Sequence, residues 1–253
     1  MAEYKNGKLQ LPNVTLVAVT SVKVDATVKA MKYSMRGIDF GDAVFISDKK
    51  PRILPKKIRF AQIDKLDSID KFNYDMIYEL YKYINTSHIM LVHYDGFVVN
   101  PDSWRDEFLD YDYIGAPWPI PSEDDHITFR DPDGNLIRVG NSVGIRSKKL
   151  LYAPTKLGLP WQSFYGNYHE DGFLCVHHHK ELEQDGCKFA PIEVARYFSH
   201  ETPIPEIEGI KPFAFHKWDG SNALYPRFDN SFIRETYKKL KVLWKKIQKN
   251  KEY

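Results

Sequence analysis

The sequence predicts an α/β domain built on a mainly parallel sheet with helices on its faces. Three observations predict it. Short apolar runs recur through the first hundred residues: Thr15–Val22, Ala43–Ser47, Arg59–Ile63 and His88–Val92. Segments with helical spacing separate several of them. The chain length of 253 residues, with 43% hydrophobic content, suits one sizeable core.

Thr15–Val22 is apolar enough for a strand buried on both faces. Asp25 is placed to cap a helix running to about Arg36, with Val28, Met31 and Met35 on one side and Gly37 as its stop. Asp70–Ile84 carries Met76, Ile77, Leu80, Tyr81 and Ile84 and reads as one helix. Beyond Pro101 the pattern changes. Pro101–Pro121 is rich in Trp, Tyr, Asp and Pro, and Asp133-Gly134 marks a hairpin turn. Ile137–Ile145 is strand-like but holds Gly140 and Gly144. His169-Glu170-Asp171 opens a further helix. These elements fill a domain over residues 1–230.

The segment 231–253 reads separately. Ile233, Tyr237, Leu240, Trp244 and Ile247 form one helical stripe, and Arg234, Lys238, Lys239, Lys241, Lys245, Lys246 and Lys249 occupy the other faces. Such a basic amphipathic helix packs on the domain, rests on an anionic membrane surface or, as the least favoured reading, contacts nucleic acid.

The formal net charge of +2 argues against a nucleic-acid partner, because the basic excess is confined to this C-terminal stretch. Cys175 and Cys187 give no disulfide framework. Met1–Leu11 lacks the apolar core of a signal peptide, and no run reaches the roughly 18 apolar residues of a spanning helix. The expectation is a cytoplasmic protein, touching a membrane from the side if at all.

Ligands of parallel sheets lie at the carboxyl ends of strands. This rule selects Thr20, Ser21, Asp48 and the stretch His93-Tyr94-Asp95-Gly96. A carboxylate and an imidazole after a buried strand can ligate a hard divalent cation, Mn²⁺ accepting both. An Asp-Gly there also serves as a plain turn. Glu170 and Asp171 suit a general base, or simple capping of a helix start. Gly140 suggests close approach to the backbone, by a ligand or in a bulge. His216 lies among aromatics in Pro212-Phe213-Ala214-Phe215-His216. The run His177-His178-His179 has the wrong spacing for zinc.

Taken in order, these elements resemble the GT-A glycosyltransferase layout, with a nucleotide-binding half, an Asp-x-Asp at a strand end, a glycine-bearing loop, a Glu-Asp pair and a late histidine. More narrowly, the chain resembles a family of bacterial and viral sugar transferases catalogued as a domain of unknown function. The matching stretches are Tyr33–Ile38, Met76–Leu80, His93–Pro101, Tyr111–Trp118, Glu170-Asp171 and Phe189-Ala190-Pro191.

The resemblance implies a metal-dependent, inverting transferase. It would move sugar from a nucleotide-sugar donor to a glycan or lipid-linked acceptor, with Mn²⁺ or Mg²⁺ as cofactor. Asp95 and His216 would be metal ligands, with His93 standing where the first Asp of the motif is usual. Asp171 would be the base, Glu170 supporting it or binding acceptor hydroxyls. Thr20, Ser21, Asp48 and Tyr94 would contact the nucleotide, and Gly140 and Asn141 the sugar. The loop reads Gly-Asn-Ser-Val-Gly rather than Gly-Asn-Gly-Gly. The alternatives are an inactive nucleotide-sugar or glycan-binding module, and a nucleotidyltransferase.

Overall fold

A computed structural model of the chain describes residues 3–121, 130–161 and 169–229. The basic segment expected over 231–253, including its amphipathic helix, lies outside the described residues.

The fold is mixed α/β with a mainly parallel central sheet. Its strands are β1 (Tyr4–Lys5), β2 (Lys8–Val19), β3 (Ile38–Ser47), β4 (Arg59–Gln62) and β5 (His88–Leu91), followed by β7 (Tyr113–Pro117) and β8 (Val139–Ser147). The spatial order is β4-β3-β2-β5-β8-β7, with β1 paired to the start of β2. β2, β3, β4 and β5 run parallel, whereas β8 lies antiparallel to both β5 and β7. A small second sheet joins β6 (Gly96–Val98), β10 (Ala214–His216) and β9 (Ser199–His200) in the order β6-β10-β9.

The alternation of side chains along β2 divides the core. Leu9, Leu11, Val14, Leu16 and Ala18 face one layer with Val28 and Met31 of α1 (Val24–Ser34) and the second sheet. Val17 and Val19 face the opposite layer, with Met76 of α2 (Ile69–Tyr78) and Leu151 of α3 (Lys148–Leu157). A third cluster forms around Tyr113, Trp118, Phe173 and Leu182, beneath α4 (Glu170–Gly172) and α5 (His179–Gln184). The short α6 (Ile192–Phe198) packs beside β7.

Several boundaries differ from the sequence reading. The strand expected over 15–22 is β2, which begins earlier, at Lys8, with Leu9 and Leu11 buried between more exposed neighbours, and ends at Val19. Asp25 is not the cap of α1 but lies in its first turn; Lys23, in the left-handed region at φ 53°, holds the cap position. The helix expected over 70–84 is capped by the Ser68 side chain, ends at Tyr78 and continues as a 3₁₀ turn over Leu80–Tyr83. Met76, Leu80 and Ile84 still share one core, so the periodicity persists where the backbone tightens. The helix after Asp171 is likewise broken: α4 leads into a π turn over Phe173–His177 before α5. The turn at Asp133-Gly134 does form, closed by the Asp131 side chain accepting from the Asn135 backbone at 2.7 Å.

Candidate active site

Successive strands leave β2 toward β3 and β4, and the chain then returns to place β5 on the other side of β2. The gap outside the carboxyl ends of β2 and β5 is therefore a topological switch point, where α/β sheets bind ligands. A cavity of about 430 Å³ opens there, its lining including Thr20, Ser21, His93, Tyr94, Asp95 and His216. Its lining combines apolar Val19, Val22, Leu66, Ile69 and Phe72 with polar His93, Asp95, Ser142 and His216.

The turn after β5 is tight. The His93 N–H donates to the Gly96 carbonyl at 2.7 Å, which turns Asp95 outward. Gly96 has no room for a side chain: a Cβ would stand 2.5 Å from Val143 Cγ2 and 2.8 Å from His216 Cδ2. That close approach lets β10 lie antiparallel on β6, with His216 opposite Gly96. The Lys217 N–H then donates to the Asp95 carbonyl at 2.8 Å and ties the two ends together. His216 Nε2 consequently faces Asp95 Oδ1 at 3.9 Å.

His93 stacks obliquely near His216, with ring centroids 5.9 Å apart. The residue keeps a partly exposed edge, but its Nε2 is shielded from solvent and lacks a protein hydrogen-bond partner. Burial and then the neighbouring His216 push the imidazole down to about 4, so it is neutral at pH 7. A neutral imidazole with a spare ring nitrogen is chemically a ligand or an acceptor. Tyr94 leans toward Trp218, and its hydroxyl is pushed up to about 12 by burial and by the adjacent Asp95.

The glycine-bearing strand β8 contributes Ser142 to the lining. Ser142 Oγ donates to Glu170, whose carboxylate also accepts from Arg146 at 3.0 Å. Arg146 and Glu170 are both buried. Burial opposes ionisation of Glu170, but the Arg146 charge and the two hydrogen bonds outweigh it and hold the carboxyl below its ordinary value. Glu170 thus faces inward, engaged by protein donors. Asp171 beside it is different. Its Oδ1 accepts only the Gly172 N–H among the hydrogen bonds seen, and burial together with Glu170 raises it to about 6. Although burial opposes it, the Lys217 ammonium is raised chiefly through its bond to Glu201, with smaller contributions from the charges of Asp171 and Asp95.

Of the remaining expected residues, Thr20 and Ser21 line the cavity, whereas Asp48, Gly140, Asn141, Glu170 and Asp171 do not. Thr20 Oγ1 is turned into its own loop, donating to the Val22 carbonyl at 2.6 Å, and Ser21 Oγ accepts from the Leu66 N–H at 2.8 Å. Both still border the cavity. Asp48 follows β3 and stays near Ser47 and Lys49, away from this lining. Gly140 lies under Trp118, where a Cβ would stand 1.9 Å from the indole. Asn141, in the left-handed region at φ 89°, is buried and donates to Glu201 at 2.9 Å.

Glu201, Lys217, Ser142 and Arg146 were not singled out by the sequence reading. Glu201 accepts from His216 Nδ1 at 3.0 Å and from Lys217 Nζ at 2.6 Å. It follows β9 with no motif around it, so only the pairing of β9 with β10 brings it to His216.

The cavity suits a divalent cation as far as two donors go. Ligand bonds of about 2.1 Å allow two donor atoms to stand up to about 4.2 Å apart on one ion, and Asp95 Oδ1 and His216 Nε2 fall within that span. Among the described residues no group of three or more His, Cys, Asp or Glu is arranged as a complete metal cage. A two-donor site fits cations that complete their shell with substrate phosphates and water.

Two crystal structures of LgtC share this architecture. One, the galactosyltransferase in complex with donor and acceptor sugar analogues, is 12% identical with a TM-score of 0.53 over 85% of this chain and 93% of that one. The other, an active-site mutant of LgtC, is 12% identical with a TM-score of 0.52 over 82% of this chain and 88% of that one. At such identity the likeness establishes the fold, which is GT-A. No curated protein sequence matches. A family model does match, over residues 55–216, a span that runs from just before β4 through the Asp95 turn and ends on His216. As that span covers more than half of the sequence, the chain belongs to DUF5672, a family described as a protein of unknown function.

Proposed function

We propose that this chain is a metal-assisted glycosyltransferase that takes a sugar from a nucleotide-diphosphate donor. The observation that carries the reading is the meeting of Asp95, His216 and His93 in one cavity at the sheet's switch point. The likeness of fold to a galactosyltransferase supports it.

Asp95 and His216 would hold the cation, Mn²⁺ or Mg²⁺, with His93 beside them. Bound there, it would supply Lewis-acid stabilisation of the leaving diphosphate. The apolar lining residues, with Thr20 and Ser21, suit a nucleoside, and the polar ones suit its charged end. Asp171 would take the proton of the attacking acceptor hydroxyl. A base near 6 is ionised at neutral pH yet basic enough to assist, and direct attack at the anomeric carbon gives inversion. Glu170, locked to Arg146 and Ser142, would fix the backbone from which Asp171 projects.

Among the described residues no helix is long and apolar enough to cross a membrane. A cytoplasmic enzyme with a glycan or lipid-linked acceptor, held near a membrane by its basic C-terminal segment, fits this reading. The test is a panel of nucleotide sugars assayed for hydrolysis and transfer with and without Mn²⁺. Metal-dependent release of nucleoside diphosphate is the expected result. Donor binding without turnover across acceptors would favour an inactive binding module instead.

A further inference from the structure

Glu201 touches the opposite edge of the His216 ring from Asp95. Its Oε1 lies 3.0 Å from His216 Nδ1, whereas Asp95 Oδ1 lies 3.9 Å from Nε2. A carboxylate only accepts, so the proton of that contact sits on Nδ1. The distance from Nε2 to Asp95 is too long for a hydrogen bond. In the neutral ring the Nε2 electron pair is therefore not consumed by protein, and His216 lines the cavity.

The carboxylate that imposes this is itself held. Lys217 Nζ donates to Glu201 Oε1 at 2.6 Å, and Asn141 Nδ2 donates to Oε2 at 2.9 Å. Asn141 is fixed in turn, its Oδ1 accepting the Val143 N–H at 2.9 Å and its carbonyl accepting the Tyr113 hydroxyl at 2.6 Å. Only 11% of the Glu201 side chain is exposed, so its position is set by these three donors rather than by solvent. The glycine-bearing loop thereby reaches the metal end of the cavity through Asn141 and Glu201.

We propose that Glu201 is a positioning residue that fixes the tautomer and orientation of His216, making Nε2 the ligand atom. This rests on the reading that Asp95 and His216 hold a divalent cation. Carboxylates behind ligating histidines tune metal sites in this way, and their loss typically costs roughly 10- to 100-fold in affinity. Glu201 cannot compete as a ligand, because it occupies the Nδ1 side.

The experiment uses the full chain and two readouts. Long-range ¹H–¹⁵N correlations of the His216 ring, in metal-free protein at mildly alkaline pH, report the tautomer. Mn²⁺ titration followed by electron paramagnetic resonance reports affinity. Wild type should show the Nδ1–H form. Glu201→Ala should shift the ring toward Nε2–H and weaken Mn²⁺ on the order of 10- to 100-fold. Glu201→Gln, which keeps an acceptor oxygen, should retain the tautomer. Lys217→Met removes the ion pair but not the Glu201–His216 contact, so it should also retain it. A folded Glu201→Ala protein with an unchanged ring signature and unchanged Mn²⁺ affinity would overturn the proposal. Equal loss in Lys217→Met and Glu201→Ala would overturn it too, since that is what simple anchoring of β10 predicts. If the wild type binds no Mn²⁺ while the tautomer still follows Glu201, the positioning stands and the cation reading falls.

Discussion

His216 Nε2 and Asp95 Oδ1 face each other across 3.9 Å, brought together by the antiparallel pairing of β10 with β6. Two electron-rich atoms at that spacing repel unless a proton or a cation lies between them. The expected consequence is that Asp95→Ala loses both Mn²⁺ binding and turnover. The rate loss should be on the order of 10³-fold, corresponding to several kcal/mol of Lewis-acid stabilisation. The fold should survive, because the hydrogen bond from Lys217 uses the Asp95 backbone carbonyl. Circular dichroism and steady-state assays check the two halves of this statement.

Asp171 should set the acid limb of the pH profile. Its carboxyl is raised to about 6 by burial and by Glu170, and only the ionised form accepts a proton. Turnover should fall about tenfold per unit as pH drops below about 6. The sign for stability is opposite. A folded value raised above the unfolded one favours folding at pH below about 4, and that contribution is lost as pH rises through about 6. Asp171→Asn should therefore abolish activity yet raise Tm relative to wild type at pH 8, the gap closing in acid. Thermal melts at several pH values measure this.

Arg146 and Glu170 form a buried ion pair at 3.0 Å. Removing one partner leaves a buried charge, so Arg146→Met should destabilise by about 3–5 kcal/mol. Glu170 is held below its ordinary value, so the pair's contribution is present above about pH 4.5 and lost as pH falls through the lowered value. A double Arg146→Met/Glu170→Met protein should recover much of the loss. Urea unfolding of the three variants distinguishes these outcomes.

Gly140→Ala should destabilise by about 1–3 kcal/mol, because its Cβ would overlap the Trp118 indole. Trp fluorescence should shift with it, and nucleotide-sugar affinity should change little, since Gly140 does not line the cavity.

The basic segment after Asp229 should bind anionic vesicles. A protein ending at Asp229 should lose co-sedimentation with phosphatidylserine vesicles and keep its activity on soluble acceptors.

The sheet was legible because β2 and β3 end in apolar runs, Thr15–Val19 and Ala43–Ser47, and β5 is apolar after His88, each followed by polar residues. The strand-end rule found Thr20, Ser21 and the His93–Asp95 turn for the same reason. It also selected Asp48, which follows a strand on the far side of the switch point and misses the cavity. Glu201 and Lys217 were invisible because their roles arise from a three-strand sheet whose members are distant in sequence. The smallness of Gly140 was read correctly as close approach, but the approaching group is an indole from this chain. Helix ends were misread at Asp25 because the cap uses a left-handed backbone at Lys23, which side-chain chemistry does not announce.

Calorimetric titration of nucleoside diphosphates and nucleotide sugars, with and without Mn²⁺, tests the central claim most directly. Wild type should bind at least one donor far more tightly with the metal, and both Asp95→Ala and His216→Ala should erase that metal-dependent gain. Equal donor affinity in wild type and both variants, with or without Mn²⁺, would contradict the account.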